Sequence, residues 1–141
     1  MRLLVCGGRH YSNYKHVRQG KVTQEQFMAE YRVVDDAIAE ALGWVSTDDM
    51  DTWLPPKDTV IISGAAGGVD TSAIDWAVVN WVEWEEYPAN WEKDGKAAGP
   101  IRNQQMLDEG KPDKVLAIRG GKGTADMVRR AKKAGIPVIE V

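Results

Sequence analysis

The sequence predicts an α/β protein, a single Rossmann-like, doubly wound parallel sheet flanked by helices, with residues 1–141 forming one domain. Three observations lead there. Short aliphatic or β-branched runs alternate with amphipathic segments along the chain, the order that produces parallel strands joined by helical crossovers. Glycine-rich or small-residue turns follow directly on three of those runs, at 6–9, 63–70 and 119–124. No internal repeat or low-complexity tract divides the 141 residues.

Each element has its own signal. Leu3-Leu4-Val5-Cys6 is an apolar run ending in glycines, read as a buried first strand. Residues 9–22 are polar and show neither a helical nor a strand period. Thr23-Gln24-Glu25-Gln26 spells a capping box, in which the Thr23 hydroxyl accepts the Gln26 amide and the Gln26 side chain reaches back. Phe27, Tyr31, Val34, Ile38 and Leu42 then recur at helical spacing until Gly43 stops the helix. Residues 44–58 are acidic and carry prolines, and are read as a loop or lid.

Thr59-Val60-Ile61-Ile62 is a second buried strand, followed by the loop at 63–70 and a helix to about Trp81. Glu83 to Tyr87 alternates charge with Trp84 and Tyr87, as a third strand would. Pro100 falls in the first turn of a helix running to Gly110, where its missing N–H costs nothing. Lys114 to Ile118 is the next strand. The last helix sets Met127, Val128, Ala131 and Ala134 on one face and ends at Gly135, before a closing strand at 137–141.

Composition excludes several classes. Hydrophobic residues make up 43% and charged residues 28%, and the net charge is −3. A nucleic-acid binder usually shows a basic surplus or stripe. The basic cluster Arg129, Arg130, Lys132 and Lys133 reads as the solvated face of a helix, so nucleic acid is not the expected partner. No apolar run approaches the ~20 residues of a membrane span. The N-terminus lacks the apolar stretch and cleavage site of a signal peptide. Cys6 is the single cysteine, which rules out a disulfide framework and reads as a small buried strand residue. A cytoplasmic setting is the expectation. His10 and His16 have no ligating cluster at suitable spacing, and Asp48, Asp49 and Asp51 suit a solvated loop. No metal and no cofactor is expected. Six tryptophans are many for this length; Trp76, Trp81, Trp84 and Trp91 lie close in sequence and suggest a homo-oligomer contact.

The chemistry concentrates in the three turns. In a parallel sheet they share the carboxyl edge, where open α/β folds bind ligands. Glycine lets backbone amides approach an anion without a Cβ in the way, and the helix that follows adds free N–H groups and the positive end of its dipole. The candidate ligand-binding residues are therefore Gly7, Gly8 and Arg9; Ser63, Gly64, Gly68 and Asp70; Arg102 and Asn103; and Gly120, Gly121, Gly123 and Thr124. Arg102 stands in the first turn of a helix, where the dipole disfavours a cation unless an anion accompanies it. Asp70 suits a helix cap or a ribose hydroxyl, and Asn103 either reads a base or fixes the Arg102 backbone. Thr124, opening its helix, either caps it or donates to a phosphate. No Walker A loop is present, because Lys122 precedes Gly123 and Lys96 precedes Ala97. The third glycine of the dinucleotide fingerprint is also missing after Gly7-Gly8-Arg9. ATP hydrolysis and ordinary hydride transfer are disfavoured.

Several of these motifs carry a resemblance. Ser63-Gly64-Ala65-Ala66-Gly67-Gly68-Val69-Asp70 resembles the Ser-Gly-x-Ala-x-Gly-x-Asp loop of the DNA-processing protein A family. Gly99-Pro100-Ile101-Arg102-Asn103-Gln104-Gln105-Met106 and Gly120-Gly121-Lys122-Gly123-Thr124 resemble the Lonely Guy phosphoribohydrolases. Both groups belong to the Rossmann-like SLOG superfamily. With the opening Cys6-Gly7-Gly8-Arg9, the chain is similar to the YspA-like branch, small bacterial and phage proteins. The resemblance implies binding or sensing of a nucleotide or nucleotide-derived phosphate ligand. It implies two alternatives: cleavage of a nucleoside 5′-monophosphate at its N-glycosidic bond, with Arg102 and Asp126 as candidate catalytic residues (Asp70 being a second candidate carboxylate), and single-strand DNA binding. Two departures matter. The catalytic Glu of the phosphoribohydrolase motif is replaced by Met127, which leaves Asp126 as the nearest carboxylate, about 100° around the helix. Gly67 stands where DNA-processing relatives often carry Arg.

Overall fold

The computed structural model describes residues 1–43 and 55–141. The loop or lid expected over 44–58 falls mainly outside the described residues, and so do Asp48, Asp49 and Asp51. Five strands form one parallel sheet: β1 (Arg2–Gly7), β2 (Val60–Ser63), β3 (Glu83–Glu86), β4 (Lys114–Ile118) and β5 (Val138–Glu140), in the order β3-β2-β1-β4-β5. The strands are joined by α1 (Tyr14–Arg18), α2 (Gln24–Ala41), α3 (Val69–Val79), α4 (Trp91–Asp94), a short 3-10 turn (Gly95–Ala97), α5 (Ala98–Gly110) and α6 (Lys122–Lys133). The Rossmann-like architecture expected from the sequence is what the chain adopts.

Side-chain alternation along the strands builds two cores. Leu3, Val5, Ile61, Leu116 and Ile118 face α2 and α3, whose Val34, Ile38, Val69, Ala73 and Trp76 bury against them. Leu4, Cys6, Ile62, Val115 and Ala117 face α5 and α6, where Met106, Leu107, Met127, Val128 and Ala131 close the second core. Burial on both faces explains why the central strands read as continuous apolar runs. The order in which strands are added reverses beside β1, which pairs in parallel with β2 through Leu4↔Ile62 and with β4 through Val5↔Leu116. The loops leaving β1 and β4 therefore diverge at a topological switch point, the place where such sheets open a crevice.

Local signals hold in most places. Thr23 Oγ1 accepts the Gln26 amide at 3.0 Å and starts α2. Some details differ. The polar stretch 9–22 contains α1, a five-residue helix capped by Asn13 that buries none of its residues and so leaves no period in the sequence. The same stretch is tied down by buried Ser12, whose hydroxyl pairs with that of Ser72 at 2.8 Å. Helix α3 stops at Val79 and leaves Trp81 96% exposed with φ 56°. Thr124 does not open α6: the helix starts at Lys122, with Gly121 at its cap and no side-chain capping bond. Ala134 lies past the end of α6 and is exposed, because the apolar face closes with Ala131. No helix among the described residues is long and apolar enough to cross a membrane.

Candidate functional site

At the carboxyl edge, the ends of β1, β2 and β4 are bound to one another. The Gly8 amide donates to Ile118 O at 3.1 Å, and Gly8 O accepts the Val69 amide at 3.2 Å. Packing this close demands glycine. A Cβ on Gly7 would strike Ile118 O, one on Gly8 would strike Arg119 O, and one on Gly68 would strike Gly8 O. Gly68 also has φ 74°, a left-handed conformation that L side chains rarely adopt. These glycines are explained by the contact between loops. Gly121 and Gly123 are different, because no atom of the described residues lies within 4 Å of a Cβ placed on either and neither has a positive φ. The fold leaves them free.

Between the loops lies a cleft of about 210 Å³, lined by Cys6, Gly7, Gly8, Arg9, His10, Ala66, Asp70, Arg102, Asn103, Met106, Gly121, Lys122, Gly123 and Thr124. Nine sequence-predicted residues meet here: Gly7, Gly8, Arg9, Asp70, Arg102, Asn103, Gly121, Gly123 and Thr124. Gly64 lines a second cavity that adjoins the first. Ser63, Gly68 and Gly120 do not line the cleft. Ser63 is fully buried, donating to Asp70 O at 3.0 Å and accepting the Ala65 amide at 3.2 Å. Gly120 backs onto Thr124, whose hydroxyl would collide with any Cβ there.

Two ionisable groups dominate the cleft. Asp70 is 6% exposed, and burial pushes its carboxyl up to about 6, against the pull of Arg102, the Ala66 amide and Arg9. Its Oδ2 accepts that amide at 3.2 Å. Arg102 donates through Nη1 to Gly64 O at 2.6 Å and through Nε to Asn103 Oδ1 at 3.2 Å. Burial lowers the Arg102 pKa, and the Asp70 charge raises it. The guanidinium thus enters the cleft from α5 in a fixed orientation, alongside Arg9 from the first loop. Burial also pushes the Cys6 thiol up, so a thiolate nucleophile is not on offer there. His10 Nδ1 lies 3.3 Å from His16 Nε2, and the described residues contain no group of three potential metal-ligating side chains.

Asn103 holds the arrangement together. It is 4% exposed, and its Nδ2 donates to Asp126 Oδ2 at 3.0 Å and to Gly123 O at 3.1 Å. Both ends of its amide serve the protein, and what it holds is the Arg102 side chain through Nε, where the sequence suggested the Arg102 backbone. Asp126 itself lies outside the cleft lining. Its Oδ1 accepts from Arg129 and its Oδ2 from Arg130 at 2.8 Å. Burial would raise its pKa, but these bonds and charges, with the Asn103 bond, hold it below the usual carboxylate range. Met127, at the position of the relatives' Glu, is fully buried in the second core. Two of the four residues in the basic cluster at 129–133 are thus spent on Asp126, and Lys132 pairs with Glu140 at 3.4 Å.

Sequence reasoning missed the second cavity. It holds about 220 Å³ and is lined by Arg9, Gly64, Ala65, Ala66, Gly67, Pro88, Ala89, Trp91 and Arg102. Trp91 opens α4, where Asn90 Oδ1 accepts the Lys93 amide at 3.1 Å, and its ring lies 5.2 Å from the Arg9 guanidinium. The available signal was Asn90-Trp91-Glu92-Lys93, a capping asparagine before an aromatic in an otherwise polar segment. Ala65 sits in this lining with φ 57°, a conformation uncommon for a residue with a Cβ.

Comparison with known proteins adds two findings. Residues 1–93 match the family described as YspA, cpYpsA-related SLOG family. The matched region takes in the first two loops and Trp91 and stops before Arg102. The Gene 61 protein of Mycobacterium phage D29 is 40% identical over 94 residues, covering 60% of this chain and 72% of the phage protein. No solved structure matches.

Proposed function

This chain belongs to the YspA, cpYpsA-related SLOG family, whose membership points to nucleotide-related binding or processing, and from that premise we propose that its cleft binds a nucleotide or nucleotide-derived phosphate ligand. One observation carries the proposal. The N-terminus of α6, which has no side-chain cap, opens into the same cleft as Arg9 and Arg102. Uncapped helix amides and two guanidinium groups around one concavity suit a phosphate. Gly121 and Gly123 leave the approach to those amides clear, and Asp70 offers an acceptor for a sugar hydroxyl.

Thermal unfolding of the protein against nucleoside mono- and diphosphates, NAD and ADP-ribose tests the proposal, with chromatography of each mixture afterwards. A ligand at ~100 times its Kd stabilises the fold by about 2.7 kcal/mol. The expected result is a raised Tm with the ligand recovered intact, and loss of the effect in Arg102→Ala. No stabilisation by any of these compounds would overturn the proposal.

A second reading, cleavage of the N-glycosidic bond, is favoured by Asp70. It is a cleft carboxyl pushed up to about 6 beside Arg102, suited to general acid–base work near neutral pH. On this reading Asp70 carries the chemistry and Asp126 has a positioning part through Asn103. Free base in the chromatogram, abolished by Asp70→Asn while binding persists, would establish it.

A further inference from the structure

The two cavities share Arg9, Ala66 and Arg102 along their common border. At about 210 and 220 Å³, neither alone reaches the ~300 Å³ at which small-molecule pockets begin, but joined they pass it. Their linings differ in chemistry. The first offers α6 amides and Asp70, whereas the second is lined by Trp91, Pro88 and the 64–67 loop. The Trp91 ring contributes little to a core, since the residue is 49% exposed. One edge of the ring lies beside Gly99, where a methyl group would stand in ordinary contact, 3.5 Å from its Cη2. Arg9 covers the ring at 5.2 Å, a cation–π contact that also marks where a flat group is attracted.

We propose that Trp91 is the stacking platform for a planar heteroaromatic ring of the ligand, with Arg9 beside the stack and the phosphate in the first chamber. This rests on the function proposed above and narrows it. The ligand class becomes a phosphorylated nucleoside whose base occupies the second chamber, not a bare sugar phosphate. Base–aromatic stacking tolerates every base because each has a π-face, so the platform sets the class of ligand without choosing the base. At 5.2 Å the Arg9 guanidinium leaves no space for a base between itself and the ring, so a base that stacks on that face displaces it.

The test is calorimetric titration of the wild type, Trp91→Phe and Trp91→Ala with the four common nucleoside 5′-monophosphates and with ribose 5-phosphate. In the wild type at least one nucleotide is expected to bind roughly 5- to 150-fold more tightly than ribose 5-phosphate, the range of one stacked base. Trp91→Ala should remove that preference, read as the ratio of nucleotide to ribose 5-phosphate affinity within each variant, while Trp91→Phe keeps most of it. Equal binding of nucleotides and ribose 5-phosphate by the wild type would overturn the platform, as would a preference that survives Trp91→Ala. In both cases the phosphate site would stand. Failure of every compound to bind the wild type would remove the phosphate site and the platform together. Unfolding curves without ligand check that the variants are folded.

Discussion

Arg102 and Asp70 meet across the Cα of Gly64. A methyl group there would stand 2.7 Å from Arg102 Cζ and 2.9 Å from Asp70 Oδ2. The glycine of the second loop is therefore the spacer that lets a cation from α5 and a carboxylate from α3 share one cleft. Gly64 has no positive φ, so the backbone accepts alanine. Gly64→Ala should cost about 1 kcal/mol of stability, since a tethered guanidinium must shift. Phosphate-ligand affinity should fall by roughly tenfold or more, because Arg102 loses its bond to Gly64 O. Chemical denaturation and calorimetry on the same samples separate the two effects. An unchanged affinity would detach Arg102 from ligand binding.

Asp70→Asn should make the fold more stable at neutral pH and leave it unchanged in acid. The folded carboxyl titrates at about 6 and the ordinary group near 4. Between those values the folded chain keeps a proton that the unfolded chain has released. Stability thus falls as pH rises through the window, and the full cost is present above about 6. Asparagine avoids the cost and keeps an oxygen for the Ala66 amide. The gain expected at pH 7.5 is on the order of 1–3 kcal/mol, absent at pH 4. Asp35, also pushed up to about 6 with Oδ1 lacking a partner among the described residues, contributes the same trend to both proteins and cancels in the comparison. Equal melting curves at pH 7.5 would mean that Asp70 is compensated in the fold.

The glycines should divide into two classes on substitution. Gly7→Ala forces a methyl group into Ile118 O and Val69, and a loss of about 3 kcal/mol or more is expected. Gly121→Ala meets open space with φ −97°, so unfolding should barely change while ligand affinity drops. A destabilised Gly121→Ala of full affinity would mean that Gly121 is a turn residue only.

Asp126→Asn should weaken the fold far more than it changes the cleft. It removes the charge that holds Arg129 and Arg130 and turns an NH2 donor toward groups that themselves donate, a loss of about 1–3 kcal/mol. The destabilisation should shrink as pH falls through the lowered pKa of Asp126, where the wild type loses the same charge. Urea denaturation across that range reads the effect. Ligand affinity should move by less than about threefold, since only the Asn103 contact reaches the site. A variant of normal stability that fails to bind or turn over ligand would restore Asp126 to the site.

The strands and long helices were legible because burial writes a period into sequence. Leu3 to Cys6 and Val115 to Ile118 are covered on both faces, and Val34, Ile38 and Leu42 point one stripe of α2 inward. Helices α1 and α4 were invisible for the opposite reason: each has at most five residues and buries none of them. The three loops could be read as a site because glycine after a strand is a local signal. Which glycines serve the fold and which leave room could not be read, since that depends on what the loop opposite brings near. The same applies to Asp126. Its distance from the cleft follows from Arg129 and Arg130 on its own helix, whose pattern in the sequence is that of a solvated face. Trp91 entered the sequence argument only as an interface aromatic, because its pairing with Arg9 joins residues 82 positions apart.

The strand order carries a consequence for how the chain acquires its shape. β1 lies in the middle of the sheet, and Leu3 pairs with Lys114 on one side as well as with Ile61 on the other. As the chain leaves the ribosome, β1, β2 and β3 can associate under α2 and α3. One edge of β1 then stays open until β4 is made, and Leu4, Cys6 and Ile62 stay uncovered until α5 and α6 arrive. Such a half-sheet exposes an unpaired edge and an apolar face together, the combination that favours aggregation over folding. A fragment ending at residue 93, the extent of the family match, would be caught in that state. It is expected to need its last third before it is soluble and cooperative, and the ligand site at the β1–β4 boundary would be the last part to form.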